Sequence, residues 1–311
     1  MITLRNRLDD YLKVRRALGW QLVQPAADLR QFVSVLEQEG ATTITRELAL
    51  RWATDRANVN PAFWARRLSF ARLFAKYVRG FDPKTEVPPF GLLPHRYRRH
   101  RPYIYTDVEI LRLMQAVERI HWRTPKMGRW TYPTLFGLWA CTGLRSTEAY
   151  KLNRDDVDLD RGVLTIRETK FRKSRLVPLH KTAVRALREY ARRRDESFPC
   201  TPTPSFFVSA EGRRLNKRTV QWQFRELCHR AGMRRLTEKH GPRIHDFRHT
   251  FVVRTILAWY RAGVDVETRM PALSTYVGHS CVSNTYWYLS STPELLALAS
   301  ERIERTLGSL P

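Results

Sequence analysis

The sequence HDFRH at residues 245–249 is followed by a mainly apolar stretch, and the two together are predicted to form one long helix that ends at Ala262. Because side chains three residues apart lie on the same side of a helix, His245 and Arg248 are expected to share one face. Taken alone, such a pair is typical of an ordinary polar helix surface. Its meaning depends on the other short motifs in the chain.

Four further motifs accompany this stretch. The sequence TGLRSTE at residues 142–148 comes before it and places Arg145 directly after an apolar segment that is expected to be buried. Lys170 lies in the turn between two predicted strands. After the helix come the pair GH at residues 278–279 and, nine residues beyond His279, Tyr288.

The first 80 residues carry apolar side chains at helical spacing in four groups, which predicts a small helical bundle. Pro83, Pro88, Pro89 and Pro94 interrupt the following segment, so residues 81–102 are predicted to form an extended linker between two domains. The second part of this linker, residues 91–102, contains four arginines and no acidic residue.

The remainder of the chain, residues 103–311, is predicted to be mainly α with a small antiparallel β-sheet, an α+β fold. Thr106 followed by acidic residues indicates a helix start. Residues 163–166 and 176–179 are β-rich and predict a hairpin. Further helices are predicted at Thr182–Arg194, Lys217–Arg230, His245–Ala262 and Glu294–Leu307.

The composition points to a polyanionic partner. The 311 residues include 55 Lys and Arg against 30 Asp and Glu, which gives a net charge of +25. Nucleic acid is the leading candidate, and a merely solubilising surface charge is the alternative. No apolar stretch approaches the length of a membrane span or a signal peptide, and the four cysteines lack zinc-type spacing.

The five motifs, in their order and spacing, resemble the tyrosine recombinases, the family of phage and transposon integrases. The motif match covers residues 103–290 and looks like the transposon-borne or Xer-like branch. The resemblance implies a SAM-like core-binding DNA-binding domain at residues 1–80, a basic linker at 81–102 and a catalytic domain at 103–311.

The resemblance also implies an activity and partners. The enzyme would cleave and rejoin DNA strands through a 3′-phosphotyrosine intermediate, with no metal, ATP or other cofactor. It would serve integration, excision or transposition of a mobile element in the bacterial cytoplasm, associated with the nucleoid. Its partners would be double-stranded DNA, three further copies in a tetramer on two DNA sites, and accessory recombinases.

The chemistry of a phosphodiester explains why these residue types are needed. Attack on phosphorus builds negative charge on the non-bridging oxygens, and the planar forks of Arg145 and Arg248 can each bind those oxygens. Tyr288 would attack the phosphorus and become covalently linked to it.

A phenol titrates near pH 10, so the attack needs assistance. His245 fits the role of the base and Lys170 that of the general acid for the departing 5′ oxygen. His279 would hydrogen-bond the phosphate.

Several alternatives stay open at this point. Lys173 rivals Lys170 as the acid, and Tyr286 rivals Tyr288 as the nucleophile, although the spacing from His279 favours Tyr288. His249 is expected to pack or to cap a helix end, and a catalytic contribution is the less favoured alternative. Arg145 could form a buried ion pair with Glu148 while also serving catalysis.

Other readings of the whole chain also remain. The helix at residues 293–307 could dock on a neighbouring protomer or on its own domain. A type IB topoisomerase shares the same chemistry, and a DNA-binding regulator with an inactive site is the alternative from another class of protein. The acidic residues at 156–160 depart from a calcium-binding loop and are expected to be solvated residues before a strand.

Overall fold

The computed structural model divides the chain into two compact units, Met1–His100 and Arg101–Pro311. It describes residues 2–93, 102–119, 127–167, 174–200, 203–235, 237–238, 241–290 and 292–308. Within these residues, no helix combines the length and the apolar character that crossing a membrane requires. The fold is mainly α with a small antiparallel sheet, which confirms the predicted fold class.

The first unit is a bundle of four helices, α1 (Leu4–Ala17), α2 (Val23–Gln38), α3 (Arg46–Thr54) and α4 (Pro61–Val78). Three of them begin at a side chain that accepts a backbone N–H of the first turn, and these caps are Thr3, Thr45 and Asn60. Their apolar faces meet around Phe32, which packs on Trp52 with ring centroids 4.8 Å apart.

Part of the predicted linker packs against this bundle. The backbone N–H of Arg46 donates to Glu86 at 2.8 Å, and Arg72 Nε donates to the carbonyl oxygen of Pro88 at 2.9 Å. Val87 and Leu93 lie against the apolar core of the first unit. Residues 94–101 lie outside the described residues, and the assignment of 81–102 as a linker stays a prediction.

The second unit is built mostly from helices, and its sheet is small. After α5 (Asp107–Glu118), the chain forms α6 (Gly128–Thr142) and α7 (Ser146–Lys151), then the strands, and then six more described helices. These are α8 (Lys181–Ser197), α9 (Lys217–Arg230), α10 (Ile244–Arg261), α11 (Val266–Val277), α12 (Ser283–Tyr286) and α13 (Pro293–Gly308). Helix α5 begins with a capping box between Thr106 and Glu109, as the sequence predicts.

Three antiparallel strands form the sheet, β1 (Val157–Asp158), β2 (Val163–Ile166) and β3 (Arg175–Pro178). The predicted hairpin is therefore present, with Val163 paired to Pro178 and Ile166 paired to Arg175. The short first strand was not predicted, because two residues are too few to show an alternating pattern.

Helix α10 is the element that connects the core to the site. Phe247 on α10 stacks on Phe136 of α6 with centroids 6.1 Å apart, and on Tyr105 at 4.5 Å. The buried hydroxyl of Thr250 accepts the backbone N–H of Tyr105 at 2.9 Å. These contacts determine which way the first turn of α10, with its histidines and arginine, faces.

The C-terminal helix α13 packs on its own unit. Leu295 is fully buried in the cluster that also contains Val252, Val253 and Ile256 of α10, and Leu298 is partly buried there. Leu296 is exposed. The sequence left open whether this helix docks on a neighbouring protomer or on its own domain, and in this structure it packs on its own domain.

Candidate active site

The connection between α6 and α7 brings the first arginine into the site. Gly143 ends α6 with φ of 60°, a left-handed conformation that favours glycine. A Cβ at this position would lie 2.6 Å from Cδ1 of Phe251, so the close packing of α6 on α10 also requires glycine. Two residues later, Arg145 stands at the N-terminal end of α7.

Arg145 is held by Glu148 and by the end of α11. Its Nη1 donates to Oε1 of Glu148 at 2.7 Å, and its Nη2 donates to the carbonyl oxygen of Gly278. The ion pair with Glu148 that the sequence suggested is therefore present. The Arg145 side chain stays partly exposed, so part of the guanidinium remains available for a ligand.

Glu148 binds a second arginine, Arg175 of β3, which the sequence analysis did not single out. Nη1 and Nη2 of Arg175 donate to the two carboxylate oxygens at 3.1 and 2.7 Å. Burial by itself would raise the pKa of Glu148, but the hydrogen bonds and charges of Arg175 and Arg145 outweigh it and lower that pKa. Glu148 is therefore an anion between two cations.

The end of α11 accepts hydrogen bonds from both arginines. Arg175 Nε donates to the carbonyl oxygen of Tyr276 at 2.8 Å, in addition to the bond from Arg145 to Gly278. Gly278 has φ of 77°, and a Cβ there would lie 2.8 Å from Nη1 of Arg175. Glycine is thus needed at this position both for the turn and for the arginine beside it, and the turn places His279.

Arg248, the second predicted arginine, is almost fully buried, with 2% of its surface exposed. Its Nη1 donates to the carbonyl oxygen of Gly143 at 3.0 Å. Among the residues that the structure describes, its buried Nη2 has no hydrogen-bond partner. Burial and the neighbouring charge of Arg145 lower the pKa of Arg248 to about 10, and it stays a cation at neutral pH.

Tyr288 lies in a short 3₁₀ helix, Trp287–Ser290, with 3% of its surface exposed. Its hydroxyl oxygen lies 2.8 Å from Nδ1 of His249. The negative charge of an ionised Tyr288 would raise the pKa of Arg248, which indicates that the two side chains are close. His249, for which the sequence favours packing or capping over catalysis, therefore contacts the candidate nucleophile directly.

The other two histidines border the same site. The ring of His279 lies parallel to that of Tyr288 with centroids 6.2 Å apart, and its Nδ1 is 2.7 Å from the hydroxyl oxygen of Thr285. The ring of His245 packs edge-on against His249, with centroids 4.8 Å apart.

Burial lowers the pKa of each of the three imidazoles, and neighbouring cations lower it further. The pKa of His245 falls to about 4, and the largest contribution from a neighbouring charge comes from Arg248. The pKa of His249 falls to about 3, and the largest such contribution comes from the imidazole of His245. For His279 it falls to about 3, with Arg248 as the main charge. All three rings are therefore neutral at pH 7 and can each accept a proton or a hydrogen bond.

Two of the open alternatives concern the general acid and the nucleophile. Lys170 and its rival Lys173 both lie outside the described residues. Tyr286, the rival nucleophile, is 40% exposed, whereas Tyr288 is buried among the histidines. The structure thus brings together Arg145, His245, Arg248, His279 and Tyr288 of the predicted set, and adds His249, Glu148 and Arg175.

Two guanidinium groups able to bind a phosphate, next to a phenol with an imidazole acceptor, suit phosphoryl transfer to a tyrosine side chain. Fold and site together define a tyrosine-type site-specific recombinase. The family model described as the phage integrase family matches residues 104–294, and the chain belongs to this family.

Two relatives illustrate the similarity. The chain is 43% identical over 308 residues to the Sinorhizobium fredii protein that carries the name integrase/recombinase y4rB, covering 98% of each chain. It is 30% identical over 237 residues to the tyrosine recombinase XerA of Thermococcus kodakarensis, covering 74% of this chain and 72% of that protein.

Solved structures share the fold. The integrase of the transposon Tn1549, solved in complex with transposon right end DNA, has a TM-score of 0.67 at 15% identity, covering 96% of this chain and 98% of that one. A lambda integrase dimer bound to a core site has a TM-score of 0.62 at 16% identity, covering 93% of this chain and 78% of that one.

Proposed function

We propose that this recombinase cleaves double-stranded DNA by attack of Tyr288 on a backbone phosphate, forming a 3′-phosphotyrosine, and rejoins strands by the reverse step. The observation that carries the proposal is the buried guanidinium of Arg248. A buried N–H without a partner is unfavourable, and a phosphate oxygen would satisfy it with a charge-assisted hydrogen bond.

The roles of the other residues follow from the same phosphate. Arg145 would bind it from α7 with the partly exposed side of its guanidinium, and His279 would donate a hydrogen bond to it. The sequence predicts His245 as the base and Lys170 as the general acid. Because the phosphotyrosine ester would conserve the energy of the broken phosphodiester bond, cleavage and rejoining would need no ATP.

The biological setting is proposed from the relatives. The Tn1549 integrase was solved with transposon end DNA, and lambda integrase with a core site. We propose that this chain likewise acts on the ends of a mobile element in the bacterial nucleoid, as a homo-tetramer on two DNA sites. The first unit would bind DNA as a core-binding domain, with accessory recombinases as further partners.

A suicide substrate tests the chemistry. A duplex nicked near the cleavage point is incubated with the protein, and the covalent protein–DNA complex is measured after denaturation. The wild-type chain and Tyr286→Phe are expected to form it, while Tyr288→Phe should bind duplex normally and form none. Covalent complex formed by Tyr288→Phe but not by Tyr286→Phe would overturn the assignment of the nucleophile.

A further inference from the structure

We propose that His249 is a further catalytic residue, which accepts the phenolic proton of Tyr288 as the tyrosine attacks the phosphate. This inference rests on the proposed function. Its first support is geometry, because Nδ1 of His249 lies 2.8 Å from the phenolic oxygen, within the range of a strong hydrogen bond.

The second support is the protonation state of His249. Its pKa is lowered to about 3, by burial first and then by the cations around it, so the ring is neutral at pH 7. A neutral imidazole with its proton on Nε2 has a free acceptor at Nδ1, and the phenol then donates to it. Protonated His249 could not accept the phenolic proton.

The third support is the way in which a bound phosphate would change this base. The charged and titratable groups that act most strongly on His249 include His245, Arg243, Arg248 and His279, and each of them is positive when protonated. A phosphate between the arginines would bring negative charge to this cluster and favour the protonated imidazole. His249 would thus become a stronger base when substrate is bound.

The step is balanced without any further reactant. The bond between the phenolic oxygen and phosphorus forms, the bond between phosphorus and the 5′ oxygen breaks, and the phenolic proton moves to Nδ1 of His249. The departing 5′ oxygen takes a proton from a separate acid, for which Lys170 is our prediction. Rejoining reverses each transfer, and the imidazolium returns its proton to the phenolate oxygen.

His245, which the sequence predicts as the base, then has a different role. Its ring packs edge-on against His249 at 4.8 Å, so it lies beside the proposed acceptor. We infer that it orients the ring of His249 or contacts the phosphate. The two assignments predict different behaviour of the His245 and His249 variants as pH is changed.

The test measures the single-turnover rate of covalent complex formation on the suicide duplex at saturating protein, from pH 6 to pH 9.5. His249→Asn keeps a hydrogen-bond acceptor close to the Nδ1 position but cannot take up the proton. We expect it to be slower than wild type by about 100-fold at pH 7, the usual range for loss of a general base. Its rate should rise about tenfold per pH unit as hydroxide replaces the base, while its affinity for duplex stays unchanged.

Two controls make the result specific. His229 on α9 is exposed and is not one of the site residues, so His229→Asn should cleave at the wild-type rate. A duplex with sulfur at the bridging 5′ position needs no general acid, so the deficit of His249→Asn should persist on it. If His249→Asn is poorly folded by thermal melting, His249→Gln is measured in the same way.

Three results would overturn the inference. A wild-type rate in His249→Asn would show that a hydrogen-bond acceptor suffices, and a rate above wild type would show that His249 restrains Tyr288. A hydroxide-dependent rate in His245→Asn but not in His249→Asn would return the role of base to His245. If the wild-type chain itself forms no covalent complex, the proposed function fails instead.

Discussion

At the scale of single residues, Arg248 is buried at an energetic cost that a bound anion would relieve. A fully buried guanidinium loses its hydration, and its Nη2 finds no hydrogen-bond partner among the described residues. Such a group weakens the folded state in the absence of an anion. Its presence is explained by binding, since the same nitrogen can donate to a phosphate oxygen.

Replacing Arg248 by methionine should therefore separate stability from activity. We expect the free energy of unfolding of Arg248→Met to be unchanged or raised by up to about 1 kcal/mol, since a buried charge is removed at similar volume. Covalent complex formation should be lost. Urea denaturation and the suicide substrate measure the two effects.

The matched variant is Arg145→Met. Its guanidinium is already paired with Glu148 and the Gly278 carbonyl, so its removal should lower the free energy of unfolding by about 1–3 kcal/mol. Equal losses for the two variants would contradict the view that, of these two described arginines, Arg248 is the one with a buried nitrogen that has no partner.

The histidines should make stability depend on pH in a definite direction. His245, His249 and His279 have pKa values of about 4, 3 and 3 in the folded protein, below the ordinary value of 6.5. Below pH 6.5 the unfolded chain therefore binds protons that the folded chain does not. Their contribution to stability is complete above pH 6.5 and decreases as the pH falls towards 4.

This dependence can be measured by urea denaturation at pH 7, 6 and 5, where the carboxylates titrate little. We expect the free energy of unfolding to fall over this interval, and to fall less in His249→Asn, which lacks one of the three groups. The free energy of unfolding of His229→Asn, which alters an exposed histidine, should fall by as much as that of the wild type. A free energy of unfolding that rises towards pH 5 would contradict the buried, neutral state of these rings.

At the scale of secondary-structure elements, Glu148 joins three segments that are distant in sequence. It belongs to α7, it binds Arg175 of β3, and both its arginine partners donate to carbonyl oxygens at the end of α11. Through these bonds the sheet, the first arginine and the turn before His279 are held in one arrangement. The strand β3 thus contributes to the site although its own residues were not predicted to belong to it.

Glu148→Gln should disturb this arrangement strongly. It removes the anion between two buried or half-buried cations, and we expect the free energy of unfolding to fall by about 3 kcal/mol, with cleavage reduced more than DNA binding. The matched control is Glu189→Gln on α8, which breaks exposed ion pairs with Arg192 and Arg193 and should leave stability nearly unchanged. Similar effects of the two substitutions on unfolding would argue against a structural role for Glu148.

At the scale of the whole molecule, the net charge of +25 is the dominant property, and both compact units contribute to it. Binding to DNA should release counterions, so the logarithm of the affinity should fall linearly with the logarithm of the salt concentration. We expect a loss of about 10³-fold or more between 50 and 200 mM salt, measured by fluorescence anisotropy on a labelled duplex. An affinity that is insensitive to salt would contradict phosphate contacts as its main source.

Much of the local structure could be predicted because its causes are local. The apolar periodicity and polar first turn of α9 predict its bounds, Lys217–Arg230, and the capping box of α5 lies in four consecutive residues. The β-branched and apolar residues of the hairpin likewise favour strands locally. The sequence does not predict helices α6, α7, α11 and α12. Helices α7 and α12 have only six and four residues, and α6 and α11 each contain a proline.

The sequence by itself determined the class of fold, the excess of positive charge and the order of the motif residues, because these are properties of composition and of neighbouring residues. Only the tertiary structure decided that His249 contacts Tyr288, 39 residues away, and that Arg175 shares Glu148 with Arg145 across 27 residues. Those contacts depend on how α10 packs on α6 and on where α11 ends. Packing of this kind results from many weak interactions between distant segments, and no single motif encodes it.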